Sequence, residues 1–126
     1  MSAESKFKIT TKVRAALLAD PTISEMVAGV RVFPVVAPKD TPGDFIIYQR
    51  DEYSKDYTKM GISGQRCRVY VNAISDDYDR SQQMAYLINE ALEGKHIDNN
   101  MDIKLVDSTE DFEDSKYIQI LLFDIQ

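Results

Sequence analysis

With 126 residues, 44% of them hydrophobic, the chain has apolar material for one ordinary core, and a single domain over residues 1–126 is expected. Fifteen Lys and Arg stand against 21 Asp and Glu, and this net charge of −6 disfavours direct, tight binding to a polyphosphate backbone. The lone cysteine, Cys67, excludes an internal disulfide; no apolar run approaches the ~20 residues that cross a bilayer, and MSAESKFKITTK lacks an apolar signal core, so no membrane association is expected.

From the start, Glu4 to Ala19 is rich in helix formers, and Phe7, Val13, Ala16 and Leu17 can share one face. Asp20 before Pro21 fits an N-cap with proline in the first helical position, and Ile23, Met26 and Val27 follow at helical spacing until Gly29 closes the turn. Val30 to Val36 is β-branched and aromatic apart from Arg31 and Pro34, and the proline confines that strand to a sheet edge or a bulge. Pro38 to Asp44 is loop, turning at Pro42 and Gly43. Phe45 to Tyr53 resumes as a strand with apolar residues on both faces, and polar, glycine-bearing Ser54 to Gly64 predicts a protruding hairpin tip.

The next switch of period is the clearest in the chain. Cys67, Val69, Val71 and Ala73 alternate with Arg66, Arg68, Tyr70 and Asn72, as in a strand with one core face. Past the capping candidates Ser75, Asp76 and Asp77, the residues Met84, Leu87, Ile88, Ala91 and Leu92 recur at spacings of three and four, and the helix they mark stops at Gly94. Met101 to Val106 reads as a strand, Asp107 to Ser115 as an acidic connection, and Lys116 to Ile125 as the last strand. The fold class predicted is α+β: a mostly antiparallel sheet with two main helices on one face and a long protruding β-hairpin loop.

Residues suited to chemistry are sparse. His96, the only histidine, sits in a polar segment after Lys95 and reads as a solvated loop residue. Cys67 lies on the core face of its strand and reads as a packed thiol. Asp76, Asp77 and Asp79, like the acidic run from Asp107 to Asp114, could supply hard oxygen ligands, yet neither has EF-hand spacing; helix capping and a solvated loop account for them. Gly61 and Gly64 lack the third glycine and following helix of a phosphate loop. Arg66, Arg68 and Lys104 could form a small basic strip, although strand alternation alone places them in water. No catalytic residue, metal site or cofactor is predicted, and an enzyme ranks last among the readings.

The run RVFPVVAPKDTPGDFIIYQR, continuing through RVYVNAISDDYDRSQQMAYLINEALEG to the closing KYIQILLFDIQ, resembles the tail completion (tail terminator, or tail-to-head joining) proteins of long-tailed bacteriophages over nearly the whole chain. The resemblance implies a structural virion protein that caps the tail tube as a ring, a hexamer, and then meets the head connector protein. Its partners would be further copies of itself, the tail tube protein and the head connector, assembled in the bacterial cytoplasm and kept in the virion tail. DNA would pass through the lumen without specific binding, past a wall to which six copies bring about −36. Tyr53, Tyr57, Lys59, Met60 and Ile62 of the tip and Val32 and Phe33 of the edge strand are the candidate interface residues, since a ring needs two different complementary faces. The alternative is a small protein-binding adaptor, or another head-to-tail connector component, that does not form a ring.

Overall fold

The Cys67–Ala73 alternation is the centre of a strand, β3, that runs from Gly61 to Ser75. Cys67, Val69, Val71 and Ala73 are all 0% exposed, so the predicted core face is the actual one. The computed structural model describes residues 8–58, 61–96 and 101–126, with backbone alone for 55–58 and 61–65. Three helices and six strands follow in chain order: α1 (Ile9–Ala19), α2 (Pro21–Met26), β1 (Val32–Pro34), β2 (Phe45–Thr58), β3, α3 (Tyr78–Leu92), β4 (Gly94–His96), β5 (Met101–Glu113) and β6 (Lys116–Ile125).

The strands form one sheet in the order β1-β2-β3-β6-β5-β4, antiparallel at every junction except β1 with β2. β6 is the apolar centre: Leu121, Phe123 and Ile125 pair with Val71, Val69 and Cys67 across β3 and point to the same side. The three helices cover that side. Val13 and Leu17 of α1, Ile23 of α2, and Met84, Ile88 and Leu92 of α3 complete the buried cluster, each fully buried aliphatic side chain contributing about 1.5–3 kcal/mol.

The helix ends follow the capping signals. Asp20 Oδ1 accepts from the Thr22 and Ile23 amides at 2.9 and 3.1 Å, with Pro21 behind it, and Asp77 accepts from the Arg80 amide at 3.2 Å. α3 ends at Leu92 with Glu93 as C-cap, and Gly94 takes φ +121° where the chain turns into β4. Phe7, placed on the first helix, lies outside the described residues.

Four expectations are corrected. The strand expected over Val30 to Val36 is only Val32–Pro34, since Val35 has φ +67°, a region costly for a β-branched residue; Val30, Val35 and Val36 are exposed. Ser54–Thr58 and Gly61–Gly64 are paired strand rather than loop: β2 and β3 continue as a two-stranded ribbon to Thr58 opposite Gly61, with a register shift between Asp56 and Tyr57. Asp107–Glu113 likewise belongs to β5, because β6 presents a hydrogen-bonding edge as far as Lys116, which pairs with Glu113. His96 lies in strand β4, and its Nε2 donates to the Leu92 carbonyl at 2.6 Å, covering an orphan acceptor at the end of α3.

Asp114 and Ser115 join β5 to β6 with both φ values positive, +53° and +65°, as a two-residue type I′ turn requires. Aspartate tolerates that conformation better than serine does. Ser115→Gly should therefore raise the unfolding free energy by about 0.5–1 kcal/mol in urea denaturation; no gain would mean that the Ser115 hydroxyl supplies a compensating interaction.

Candidate assembly interface

Sheet order and strand length together leave two long edges open. β1 pairs only with Ile46, Ile47 and Tyr48 of β2, and β4 only with Met101, Asp102 and Ile103 of β5. Among the described residues, β2 beyond Tyr48 and β5 beyond Ile103 have no strand on their outer side. Each open edge carries backbone donors and acceptors that another strand can pair with. Bulges at Arg50/Glu52 and Leu105/Asp107, and the carboxylates Asp107, Glu110, Asp111 and Glu113, restrict which strand can do so. β2 and β5 run in opposite directions and sit at opposite sides of the sheet, so they are unlike surfaces that could meet antiparallel in two copies.

The predicted interface residues that the structure describes lie at or beside the first of these edges. Tyr53, opposite Cys67, is half-buried against the core, with the Arg50 guanidinium 5.9 Å from its ring centre. Val32 is 2% exposed and belongs to the core, so its side chain is corrected from contact to packing; its neighbour Phe33 is half-buried, tilted on Phe45 at 6.3 Å between ring centres. Tyr57 and Ile62 are backbone partners in the ribbon, where backbone alone is described, and Lys59 and Met60 lie outside the described residues.

The helix-free side of the sheet was not singled out in the sequence. Phe45, Ile74 and Leu122 are 8%, 3% and 8% exposed, and with the half-buried Ile47, Ile118 and Ile120 they floor an apolar trough. Its wider part, about 740 Å³, lies between residues 36–41 and the β5–β6 turn at 113–116; a second part of about 360 Å³ continues past Tyr70, Asn72 and Thr109. The trough stops at a row across four strands, Glu52, Arg68, Asp124 and Lys104. The expected basic strip is therefore interleaved with acids, and Arg66, Arg68 and Lys104 are exposed.

Two polar clusters shape the end of the sheet nearest that turn. Asp44, 7% exposed, accepts from the Ser75 hydroxyl at 2.7 Å and from Arg80 Nε at 2.8 Å, with a second Arg80 contact through Nη2. Arg31 Nε donates to the Asp44 carbonyl at 2.8 Å, and Gly43 at φ +71° lies so close that a Cβ there would stand 3.1 Å from Arg31 Nη2. Beside them Tyr78, Phe112 and Tyr117 form an exposed aromatic cluster, with ring centres at 5.5 and 4.9 Å.

Gln119 Nε2 donates to Glu110 at 2.6 Å and to Ser81 Oγ at 3.2 Å. Hydrogen bonding from Gln119 first, then from Tyr78, holds the Glu110 carboxyl below its usual value, and Glu110 in turn raises the Tyr78 phenol. Since the folded Glu110 value is depressed, its contribution is present above the unfolded carboxyl's titration and is lost as pH falls through the folded one. A carbon-detected NMR titration should show Glu110 titrating low in the native protein and moving back up in Gln119→Leu; an unchanged value in the variant would assign the shift to Tyr78 alone.

Cys67 is fully buried, which removes the access a nucleophilic thiol needs. No group of metal-ligating side chains gathers among the described residues, and no helix there is long and apolar enough to cross a membrane.

Comparison with known proteins places this geometry. The family model of tail completion protein gp17 matches residues 11–122. The fold is similar to a chain in a solved structure described as the virion of a native gene transfer agent particle, at TM-score 0.74 and 17% identity, over 90% of this chain and 89% of that one. Curated proteins give no match.

Proposed function

Because the chain belongs to the tail completion protein gp17 family and is a structural protein of the phage tail, we propose that residues 1–126 act as one domain that closes the end of the tail tube as a ring and joins it to the head connector. The observation that carries this reading is the pair of unlike open edges on one sheet. Joining the β2 edge of one copy to the β5 edge of the next repeats the same contact around an axis, which is how a heterologous interface closes. Six copies are the proposed number, with Tyr53 and Phe33 at the β2 side of the sheet, together with Tyr57, Lys59, Met60 and Ile62, as the proposed contacts to the neighbour or the tube protein. The solved gene transfer agent chain, which comes from a phage-like particle, supports a place in the virion.

An acidic chain suits a passage for DNA, since a negative wall repels the phosphates and leaves the strand free to slide. Assembly would take place in the bacterial cytoplasm, on the finished tube. Deleting the gene should give full heads and separate tails that are unjoined or of uncontrolled length by electron microscopy, with joining restored by the gene in trans. Normal joined particles from the deletion would remove this reading and favour the adaptor.

A further inference from the structure

The chain's charge is not spread evenly. Residues 38–44, 76–80 and 110–116, which meet at the β5–β6 end of the sheet through the Asp44–Arg80 and Asp76–Lys116 pairs, hold nine carboxylates and three cations. That excess equals the −6 of the whole protein and leaves twelve of each sign everywhere else. The apolar trough opens at this acidic end: Asp40, Glu113 and Asp114 line its walls, with Lys39 and Lys116 the only cations there among the described residues, and Lys116 is engaged by Asp76 at 2.7 Å. The core cluster lies wholly on the opposite side of the sheet, so among the described residues no helix covers the floor.

We propose that this trough is a docking groove for an extended segment of a different protein, one that alternates apolar and cationic side chains. Apolar side chains at every second position would seat on Phe45, Ile47, Ile74 and Ile118, and the cations between them would reach Asp40, Glu113 and Asp114 at the walls. The trough is open to solvent and offers about 740 Å³, room for the side chains along one face of an extended segment. A second copy is the poorer occupant: two of these ends repel each other, and the rest of the chain is charge-balanced. That the partner is another tail or connector protein rests on the reading above; the chemistry of the groove does not.

The test is an amide NMR titration of the full-length ¹⁵N-labelled protein with a blocked octapeptide alternating valine and lysine. Parallel titrations replace lysine by glutamate or by serine. Saturable shifts confined to residues 36–41, Phe45–Ile47, Ile74 and 113–120 are expected with the lysine peptide alone, weakening as salt is raised. The double variant Glu113→Lys/Asp114→Lys, in an exposed turn, should bind at least tenfold more weakly while its spectrum elsewhere is unchanged. Ile47→Ser should weaken binding without changing the salt dependence.

Equal binding of the three peptides, shifts elsewhere, or no shifts would overturn the proposal. So would concentration-dependent shifts of the protein alone mapping to the trough, which would identify a second copy as the occupant. Peptide binding needs no particle, so a positive titration beside normal particles from the gene deletion would keep the groove and discard the tail reading.

Discussion

Phe123→Ala should lower the unfolding free energy by about 3–5 kcal/mol. Phe123 is 1% exposed and heads the fully buried side chains by volume; it sits in β6 between two paired strands, opposite Val69 on one side and Leu105 on the other. Both flanking strands are held by their hydrogen-bond ladders, so the walls of the hole cannot move in to refill it, and the lost burial is compounded by the cavity. A domain of this size has a total stability of roughly 5–15 kcal/mol, so the variant would be near the edge of folding. Urea denaturation should show a lower midpoint at unchanged slope. Phe112→Ala, removing a side chain 57% exposed, should cost less than about 1 kcal/mol, most of it the lost stacking on Tyr117. Similar losses for the two variants would mean that β6 is not the packing centre.

The parts of the fold that could be read in advance are those where one residue type has one physical use. Cys67, Val69, Val71 and Ala73 could lie together only on a core-facing strand, Asp20 before Pro21 had a ready use as a cap, and Lys116–Ile125 is apolar over most of its length. The errors share a different cause. Asp107–Glu113 is exposed on both faces beyond the helical layer, and a bulge at Leu105/Asp107 shifts its phase, so the strand has no alternation to detect. The ribbon from Ser54 is held by cross-strand pairing with residues up to Arg66, information that resides in register rather than in composition. Val32 looked available because an edge strand was expected, but its side chain points under the helices while only its backbone lies at the edge. The trough was half legible: Phe45 and Ile47 announced a second apolar face, while its acidic wall comes from a turn about 70 residues later in the chain.

Arg80→Ala should cost about 2–3 kcal/mol, a large effect for a side chain that is 53% exposed. The cost arises at its partner. Asp44 is 8% exposed in its side chain, 36 residues from Arg80 and 31 from Ser75, and its two oxygens divide between them. Removing the guanidinium leaves a carboxylate in a place that water reaches poorly, with one hydroxyl as its remaining side-chain donor. The loss falls below the ~3–5 kcal/mol of a fully buried pair because the space vacated by Arg80 opens to solvent. If the orphaned charge is the cause, Asp44→Asn in the Arg80→Ala background should recover part of the stability, whereas Asp44→Asn alone should cost about 1 kcal/mol, since Arg80 can turn to water. The two substitutions should therefore be non-additive in a double-mutant cycle. Hydrogen exchange should localise the change, with faster exchange at the amides of residues 43–46 and 75–80, which this cluster ties together. Additive effects with no change in exchange there would mean that Asp44 is already solvated, and that the start of α3 is held by the Asp77 cap and the Tyr78–Tyr117 contact instead.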